Sequence, residues 1–301
     1  MYVTGFADEA AGDIEGQIRA TKELGWTYIE SRNINGKNIH DLSDADFDVA
    51  AGKLEEAGVK INCFGSAIAN WQKLISEPFD SSLAEARRAI PRMRRLGTKL
   101  VRVMSFKWSL DNPTDDASQN FAERCRRLSE LVKMFADAGI QAVHENCMNY
   151  GGMGWTFTQK LVDNVPGLKL VYDTGNPVFS DDRGYKEPYP KQSSWEFYSF
   201  VKEHIAYVHI KDGRWDYENE EQIYDWPGEG EGDVRAIVKD LLTSGYDGGF
   251  SMEPHLASVF HDPNVKAPDE NAYQVYVEYS RRFEQLVRDL GFGEKINTTE
   301  A

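Results

Sequence analysis

The feature that most constrains the fold is a regular alternation of short apolar runs with longer amphipathic segments. Eight runs rich in apolar and β-branched residues are separated by stretches whose apolar residues recur about every 3.6 positions. The runs predict strands at Val3–Phe6, Thr27–Ser31, Val59–Gly65, Leu100–Ser105, Ile140–Glu145, Leu168–Asp173, Ala206–Lys211 and Gly249–Glu253. The stretches between them predict helices at Asp13–Leu24, Ala45–Ala57, Leu83–Leu96, Ala117–Ala138, Phe157–Val165, Trp195–His204, Val234–Leu242 and Ala272–Leu290.

Eight strand–helix units in 301 residues predict a single-domain (β/α)8 TIM barrel over residues 1–301, since that fold typically uses about 250 residues plus insertions. Several predicted helices end on a glycine just before the next strand, as at Gly58 and Gly97. A doubly wound sheet is the competing α/β architecture, but it commonly carries a Gly-rich phosphate turn after its first strand. Here residues 6–10 read Phe-Ala-Asp-Glu-Ala, without glycine. The barrel is therefore favoured.

The charge of the chain argues against several classes of partner. Lys and Arg number 34 against 49 Asp and Glu, which gives a net charge of −15. Proteins that bind phosphate backbones or anionic membranes need a positive field, and no apolar run approaches the ~20 residues of a membrane span. The N-terminus carries acids where a signal peptide carries Lys or Arg. We expect a cytoplasmic protein that binds neither nucleic acid nor membranes, with Cys63, Cys125 and Cys147 as reduced thiols.

The last four predicted strands end in residue types that bind metals. These are Glu145, Asp173, His209 and Glu253. In a barrel the carboxyl ends of consecutive strands lie side by side on the catalytic face. The two-residue period of a strand puts each of them on the face of an inward residue two positions earlier. We therefore expect the four side chains to converge, whereas the same period turns His144 towards the helices as a core histidine.

Three carboxylates and one imidazole favour one divalent cation, with Mn2+ first and Mg2+, Co2+ or Zn2+ as alternatives. An ion held by four protein ligands keeps positions free for a sugar carbonyl and a neighbouring hydroxyl. It would polarise the carbonyl and stabilise the enediolate that forms when the adjacent C–H proton leaves. Glu145 and Glu253, on the outer strands of the set, are the expected base and acid.

Three further residues are candidate contacts for the substrate. Lys211 shares the face of His209 and is expected to hold a substrate oxygen or assist a proton transfer, with a rim salt bridge to Asp212 or Glu229 as the other interpretation. His255 stands two residues beyond Glu253, and Glu30 lies at the end of the second strand. Both are expected to hydrogen-bond a sugar hydroxyl or to support a metal ligand.

Long loops after the fourth, sixth and seventh strands, at 106–116, 175–194 and 212–232, are expected on the catalytic face. Aromatic faces pack well on the C–H surfaces of sugars. We expect aromatic residues of this face either to wall a sugar-sized pocket or simply to cover the barrel mouth, with Trp108 as the candidate substrate contact. The set is Trp108, Trp155, Trp215, Trp226, Tyr185 and Tyr217.

Six motifs resemble those of a known family. They are YIESR at 28–32, HEN at 144–146, YDTGN at 172–176, HIKD at 209–212, PGEGEGD at 227–233 and MEPH at 252–255. Through them the chain resembles the xylose isomerase-like TIM barrel family of sugar and sugar-phosphate isomerases and epimerases, which includes tagatose and psicose 3-epimerases and inosose dehydratases.

The resemblance implies a metal set on strands five to eight that falls on Glu145, Asp173, His209 and Glu253, with Glu145 and Glu253 moving the proton. It also implies a substrate-binding Arg a few residues after the histidine, for which Arg214 is the nearest match.

The glycine-rich run at 227–233 argues against a phosphorylated substrate. It lacks the Lys-Ser/Thr of a P-loop, and its Glu229 and Glu231 would repel a phosphate. The sequence thus predicts a metal-dependent isomerase or epimerase of an unphosphorylated keto sugar.

Three alternatives stay open. The same proton abstraction followed by elimination would give a dehydratase or lyase on inososes or 3-keto-glycosides. A barrel that binds sugar without turnover is the second. An endonuclease IV-type AP endonuclease is the third, but that pattern has a histidine three residues after the strand-six Asp, where this chain has Asn176. The sequence permits a homo-oligomer without specifying one.

Overall fold

Eight parallel strands form the central sheet of the computed structural model, which describes residues 1–109, 111–257 and 269–297. We number them β1 to β8 in chain order. They are Tyr2–Gly5, Tyr28–Ser31, Lys60–Phe64, Leu100–Val103, Gln141–Glu145, Lys169–Asp173, Ile205–Ile210 and Gly249–Met252. Each strand from β2 to β8 is hydrogen-bonded to the next, and β8 pairs with β1. A bridge between Phe6 and Glu30 links β1 to β2, so the barrel is nearly closed.

A helix follows each strand within the described residues, and we number these helices α1 to α8. They span Ile14–Glu23, Asp44–Ala57, Asp80–Leu96, Phe121–Ala136, Trp155–Asn164, Ser194–Val201, Val234–Thr243 and Glu270–Asp289. A four-residue helix at Asn176–Phe179 and single turns of 3-10 helix occupy some of the loops. The predicted glycine stops are present: Gly58 and Gly97 end α2 and α3 in the left-handed conformation, which glycine adopts without steric cost.

The prediction of a TIM barrel in a single domain is confirmed. The predicted range of 1–301 includes residues 110, 258–268 and 298–301, which lie outside the described part of the chain. All eight predicted strands are present, with ends that shift by a few residues. Glu253 and Lys211, for instance, follow β8 and β7 directly rather than ending them.

The core has two layers, as the alternation along the strands predicts. Side chains that point into the barrel form one cluster, made of Tyr2, Tyr28, Cys63, Val143, Val171 and Tyr207. The residues one position away, such as Ile29, Tyr172 and Val208, belong to the larger cluster between the sheet and the helices. The interior cluster fills the barrel below the carboxyl ends of the strands, so polar residues at those ends form the floor of the mouth.

The glycine-rich run at 227–233 is organised by Asp212, the residue after Lys211. The buried carboxylate of Asp212 accepts hydrogen bonds from the backbone N–H groups of Gly213, Gly228, Gly230 and Gly232. A Cβ on Gly230 would lie 2.4 Å from Asp212 Oδ1, so the close approach requires glycine. The motif therefore ties the long loop after β7 to the barrel mouth.

Two further predictions concern the whole chain. No helix among the described residues combines the length and apolarity needed to cross a bilayer. The three cysteines are free thiols, with Cys63 fully buried.

The Asp212 cluster gives a stability prediction. Asp212→Ala would leave several buried N–H donors unsatisfied and should lower the free energy of unfolding by at least about 3 kcal/mol, measured by urea denaturation. Glu218→Gln, at an exposed position in the same loop, is the control and should leave the midpoint unchanged. Equal stability of the Asp212 variant and the wild type would show that the cluster does not hold the loop.

Candidate metal centre

Four side chains converge at the carboxyl end of the barrel. Glu145 and Asp173 end β5 and β6, His209 is the penultimate residue of β7, and Glu253 follows β8. The parallel register pairs Asp173 with His209 across β6 and β7. Glu145 pairs with Val171, two residues before Asp173, and His209 pairs with Ser251, two residues before Glu253. One ligand atom from each residue lies within 4.8 Å of the others, and all four residues are buried. The predicted convergence is therefore present in the structure.

Three ligand atoms of this cluster lack a well-directed hydrogen bond. They are Asp173 Oδ2, His209 Nδ1 and Glu253 Oε2, all buried. Lys211 Nζ lies 3.0 Å from Asp173 Oδ2 and 3.0 Å from Glu253 Oε2, and these two contacts are ion pairs without a directed hydrogen bond. Buried polar atoms are nearly always satisfied, and three carboxylates with one imidazole suit a hard divalent cation. The residues therefore fit a metal ion held by Glu145, Asp173, His209 and Glu253.

Glu30 fixes the orientation of the His209 ring. Its carboxylate is fully buried, lies 3.0 Å from His209 Nε2 and accepts a hydrogen bond of 2.7 Å from Ser251 Oγ. His209 Nδ1 is thereby left facing Glu145 and Glu253, with 3.6 Å to an oxygen of each. Burial opposes a charge on His209, but Glu30 and Glu145 outweigh it and raise its pKa to about 10.

The prediction that Glu30 contacts substrate is therefore corrected. Its side chain is absent from the lining of the cavity described below, because the inward face of β2 places it under His209. Its contacts match the other expectation, which was support of a metal ligand.

Each candidate catalytic glutamate has an arginine partner. Arg102 on β4 donates to Glu145 Oε2 over 2.9 Å, and Arg32, next to β2, donates to Glu253 Oε1 over 3.0 Å. Burial alone would raise the pKa of Glu145, but Arg102 and His209 hold it at about 2. Burial likewise opposes ionisation of Glu253, but Lys211 and its other cationic neighbours hold its pKa well below the usual range. Both glutamates are thus ionised, as a metal ligand or a base must be.

Asn146 and Asn176 complete the frame around the cluster. Asn146 exchanges two hydrogen bonds with the backbone of Asp173, at 2.8 and 2.9 Å, and so ties β5 to β6. Asn176 Nδ2 donates to Glu145 Oε1 over 3.2 Å and its Oδ1 accepts from Lys211 over 3.1 Å. Among these residues, Asp173 has its pKa raised to about 6, by burial first and then by the nearby glutamates, against the opposing charge of Lys211.

A cavity of about 300 Å3, the inner cavity, opens above the cluster. Glu145, Lys211, Glu253 and His255 are among its lining residues. His255 Nδ1 lies 3.0 Å from Glu9 Oε1, and its Nε2 lies 3.6 Å from Glu253 Oε1. Sequence reasoning missed the other lining residues that bear on the chemistry, namely Arg32, Arg102, Asn176, Trp71 and Tyr224.

His144 does not join the cluster. Its ring is buried behind β5, where Nε2 lies 3.0 Å from Ser105 Oγ and 3.1 Å from Asn149 Oδ1. Burial lowers its pKa to about 4, so it stays neutral. The expectation of a hydrogen-bonded core histidine agrees with this position.

Arg214 does not face the cavity, contrary to the expectation. It lies on a hairpin of Gly213–Asp216 with Glu221–Tyr224, where the register pairs Gly213 with Tyr224. Side chains alternate along a strand, and the Tyr224 ring lines the cavity. Arg214 therefore points to the opposite face, where it is exposed and pairs with Asp225.

The predicted aromatic wall is mostly elsewhere. Trp108 lines a second cavity next to the inner one rather than the inner cavity itself. Trp155 stacks on Phe200, and Trp226 packs against Tyr279. Trp215 lies under Lys191, while Tyr185 and Tyr217 are exposed to solvent. These positions depend on loop conformations, which the composition of a loop does not specify.

Comparisons with known proteins agree with this fold. The profile of the xylose isomerase-like TIM barrel family matches residues 18–282. No curated protein matches the chain.

Solved structures with the same fold include an N-terminally His-tagged D-allulose 3-epimerase from Methylomonas sp. in complex with D-allulose. It has 17% identity and a TM-score of 0.64 over 94% of this chain and 96% of that one. The probable 3-DHS dehydratase AsbF from Bacillus anthracis, involved in petrobactin synthesis, has 12% identity and a TM-score of 0.68, over 94% of this chain and 98% of that one. A xylose isomerase-like TIM barrel protein from Mycobacterium smegmatis in complex with magnesium has 17% identity and a TM-score of 0.64, over 93% of this chain and 96% of that one.

The family profile covers most of the chain, and a TIM barrel is the architecture it describes. The chain belongs to the xylose isomerase-like TIM barrel family.

Proposed function

We propose that this protein is a metal-dependent isomerase or epimerase of an unphosphorylated keto sugar. The observation that carries the proposal is the cluster of four buried ligand-type side chains, three of them with an unsatisfied atom. Two of the four, Glu145 and Glu253, line the inner cavity. One divalent cation would be held there, Mn2+ first, with Mg2+, Co2+ or Zn2+ as alternatives. Similar folds solved with D-allulose and with magnesium support the choice of ligand and ion by analogy.

The ion, when bound, supplies a Lewis acid that polarises the substrate carbonyl and stabilises the enediolate. Glu145 and Glu253 are the acid and base of the proposal. Against the effect of burial, Arg102 lowers the pKa of Glu145, and Lys211 with its cationic neighbours lowers that of Glu253, so either carboxylate can serve as the base. The glutamate that returns a proton to the substrate carbon must first have taken one up. The two glutamates approach the cluster from β5 and β8, its two outer strands, and so can serve the two faces of one substrate carbon.

Lys211 is proposed to hold a substrate oxygen. Its ammonium lines the inner cavity and contacts Asp173, Glu253 and Asn176. Burial opposes the charge of Lys211, but Asp173 and Glu253 outweigh this effect and raise its pKa, so the group remains a cation. A fixed donor next to the carbonyl would stabilise negative charge that develops on the substrate oxygen. His255, on the other side of Glu253, is proposed to donate to a hydroxyl.

The preference for an unphosphorylated substrate rests on the cationic and glycine N–H donors of the described residues, which are already engaged by carboxylates. The Lys and Arg side chains that line the inner cavity, Arg32, Arg102 and Lys211, each contact a carboxylate. The N–H groups of Gly228, Gly230 and Gly232 donate to Asp212. A phosphate entering this part of the site would have to displace an existing partner of each group.

Elimination after the same proton abstraction is the second candidate, which would make the protein a dehydratase or lyase on inososes or 3-keto-glycosides. The similarity in fold to a probable 3-DHS dehydratase supports it. The two candidates differ in whether a group leaves the enediolate. Incorporation of solvent deuterium without loss of water or aglycone distinguishes epimerisation from elimination.

Glu253→Gln tests the proton transfer. The variant keeps the shape of the side chain but removes the base, so exchange of the C–H beside the carbonyl should fall by about 10^3-fold. The measurement is deuterium incorporation in D2O, followed by NMR on a panel of ketohexoses with Mn2+-loaded protein. Glu231→Gln, at an exposed position, is the matched control and should exchange at the wild-type rate. A wild-type rate in Glu253→Gln would remove this residue from the mechanism.

Glu30→Gln tests the support of His209. Loss of the carboxylate behind a ligating histidine typically weakens metal binding about 10- to 100-fold, and we expect that loss in the Mn2+ dissociation constant from titration calorimetry. Glu203→Gln, an exposed substitution of the same kind, should leave the constant unchanged. Unaltered Mn2+ affinity in Glu30→Gln would show that the contact with His209 serves only the barrel interior.

A further inference from the structure

A second cavity, the outer chamber, adjoins the inner cavity and is larger than it. Its volume is about 420 Å3, against about 300 Å3 for the inner cavity. Loops that follow five consecutive strands, β3 to β7, build it. The two cavities share the lining residues Trp71, Cys147, Met148, Phe179, Ser180 and Gln222. A ligand bound at the floor of the inner cavity therefore has the outer chamber as its direct neighbour.

The outer chamber differs from the inner cavity in chemical character. Its walls add Trp108 and Met153 to the shared Trp71, Met148 and Phe179, so flat and flexible apolar faces dominate. Met148 has 44% of its surface exposed, and Trp71 and Trp108 are half-buried. Apolar side chains gathered around a concave surface beside a binding site typically cover a ligand.

The charged groups of the outer chamber are largely neutralised within its own wall. Asp181 pairs with Arg183 over 2.9 Å and with Lys191 over 3.0 Å. The Arg183 guanidinium lies 4.9 Å from the centre of the Trp108 ring, and Lys191 Nζ lies 3.5 Å from the centre of the Trp215 ring. These contacts favour an apolar face of a ligand over a strongly charged group.

The wall of the outer chamber is fixed before any ligand binds. The backbone N–H of Arg183 donates to Met153 O over 2.8 Å, and Gln192 Nε2 donates to Gly152 O over 2.8 Å. These bonds tie the loop after β6 to the turn after β5. A Cβ on Gly152 would lie 1.6 Å from Cys147 O, so that turn is closely packed. Trp108 is held against this frame by Arg183, and preorganised walls reduce the entropic cost of binding.

We propose that the natural substrate is a keto sugar that carries a second ring, and that this ring binds in the outer chamber against Trp71 and Trp108. The proposal rests on the proposed function for the ring in the inner cavity. A lone monosaccharide there would leave the larger and more apolar compartment filled with water. Sugar rings and aryl groups both present a flat apolar face to an indole, so the substituent is either a second sugar or an aromatic aglycone.

Affinity measurements on two pairs of probes test the proposal and distinguish the two kinds of substituent. D-fructose is compared with isomaltulose, which is fructose carrying a glucosyl group, and methyl 3-keto-β-D-glucopyranoside is compared with phenyl 3-keto-β-D-glucopyranoside. Titration calorimetry on Mn2+-loaded full-length protein gives each dissociation constant. We expect the substituted member of at least one pair to bind about tenfold more tightly than its partner.

Variants locate the source of this advantage. Trp108→Ala should reduce the ratio of the affinity for the substituted probe to that for its unsubstituted partner to below about twofold, because the indole face is removed. Met148→Gln should reduce the ratio in the same direction and, at an exposed position, does not threaten the fold. Trp195→Ala is the matched control, since Trp195 lies on α6 outside both linings and is 41% exposed. It should leave the ratio unchanged.

The proposal is overturned if neither substituted probe binds more tightly than its partner, or if the advantage persists in both Trp108→Ala and Met148→Gln. Failure of the proposed function has a different signature, because it appears as absent deuterium exchange on the ketohexoses and on the substituted keto sugars alike, and it does not alter these affinity ratios.

Discussion

The burial of three carboxylates at one end of the barrel is the constraint on which the rest of the site depends. Removing like charges from water and placing them together is strongly unfavourable unless opposite charges accompany them. The structure supplies Arg102 for Glu145, Arg32 for Glu253 and Lys211 for Asp173. The ion pairs do not fully satisfy the ligand atoms, three of which lack a directed hydrogen bond. A divalent cation at this position would supply the coordination that these three atoms lack.

The barrel and the four ligand candidates were predictable from the sequence because both follow from short-range periodicity. A two-residue period along β5 to β8 separates Glu145, Asp173, His209 and Glu253 from their helix-facing neighbours. The same two-residue period could also have identified the arginines that pair with Glu145 and Glu253. Arg102 is a charged residue inside an apolar strand, and Arg32 shares the face of Glu30 two positions earlier. A charge on an inward position needs a buried partner, so these arginines could have been assigned to the site.

Positions set by loops were beyond that reasoning. Arg214 and Trp108 lie in segments where the hairpin register and contacts between distant loops decide which way a side chain points. Asp212 shows how local such control can be. One carboxylate collects the N–H groups of a glycine-rich run that, read as sequence, resembles a flexible turn. The walls of both cavities depend on such contacts, whereas the chemistry at the floor depends on the strands.

Metal content is the measurement that tests the account most directly. Protein reconstituted with a mixture of Mn2+, Mg2+, Co2+ and Zn2+ and then desalted is assayed by mass spectrometry beside a His209→Ala variant. We expect about one divalent ion per chain, lost in the variant, because His209 is the proposed nitrogen ligand of the cluster. A wild-type protein without bound metal would contradict the account, and roughly three zinc ions per chain would point instead to the nuclease chemistry of endonuclease IV-type barrels.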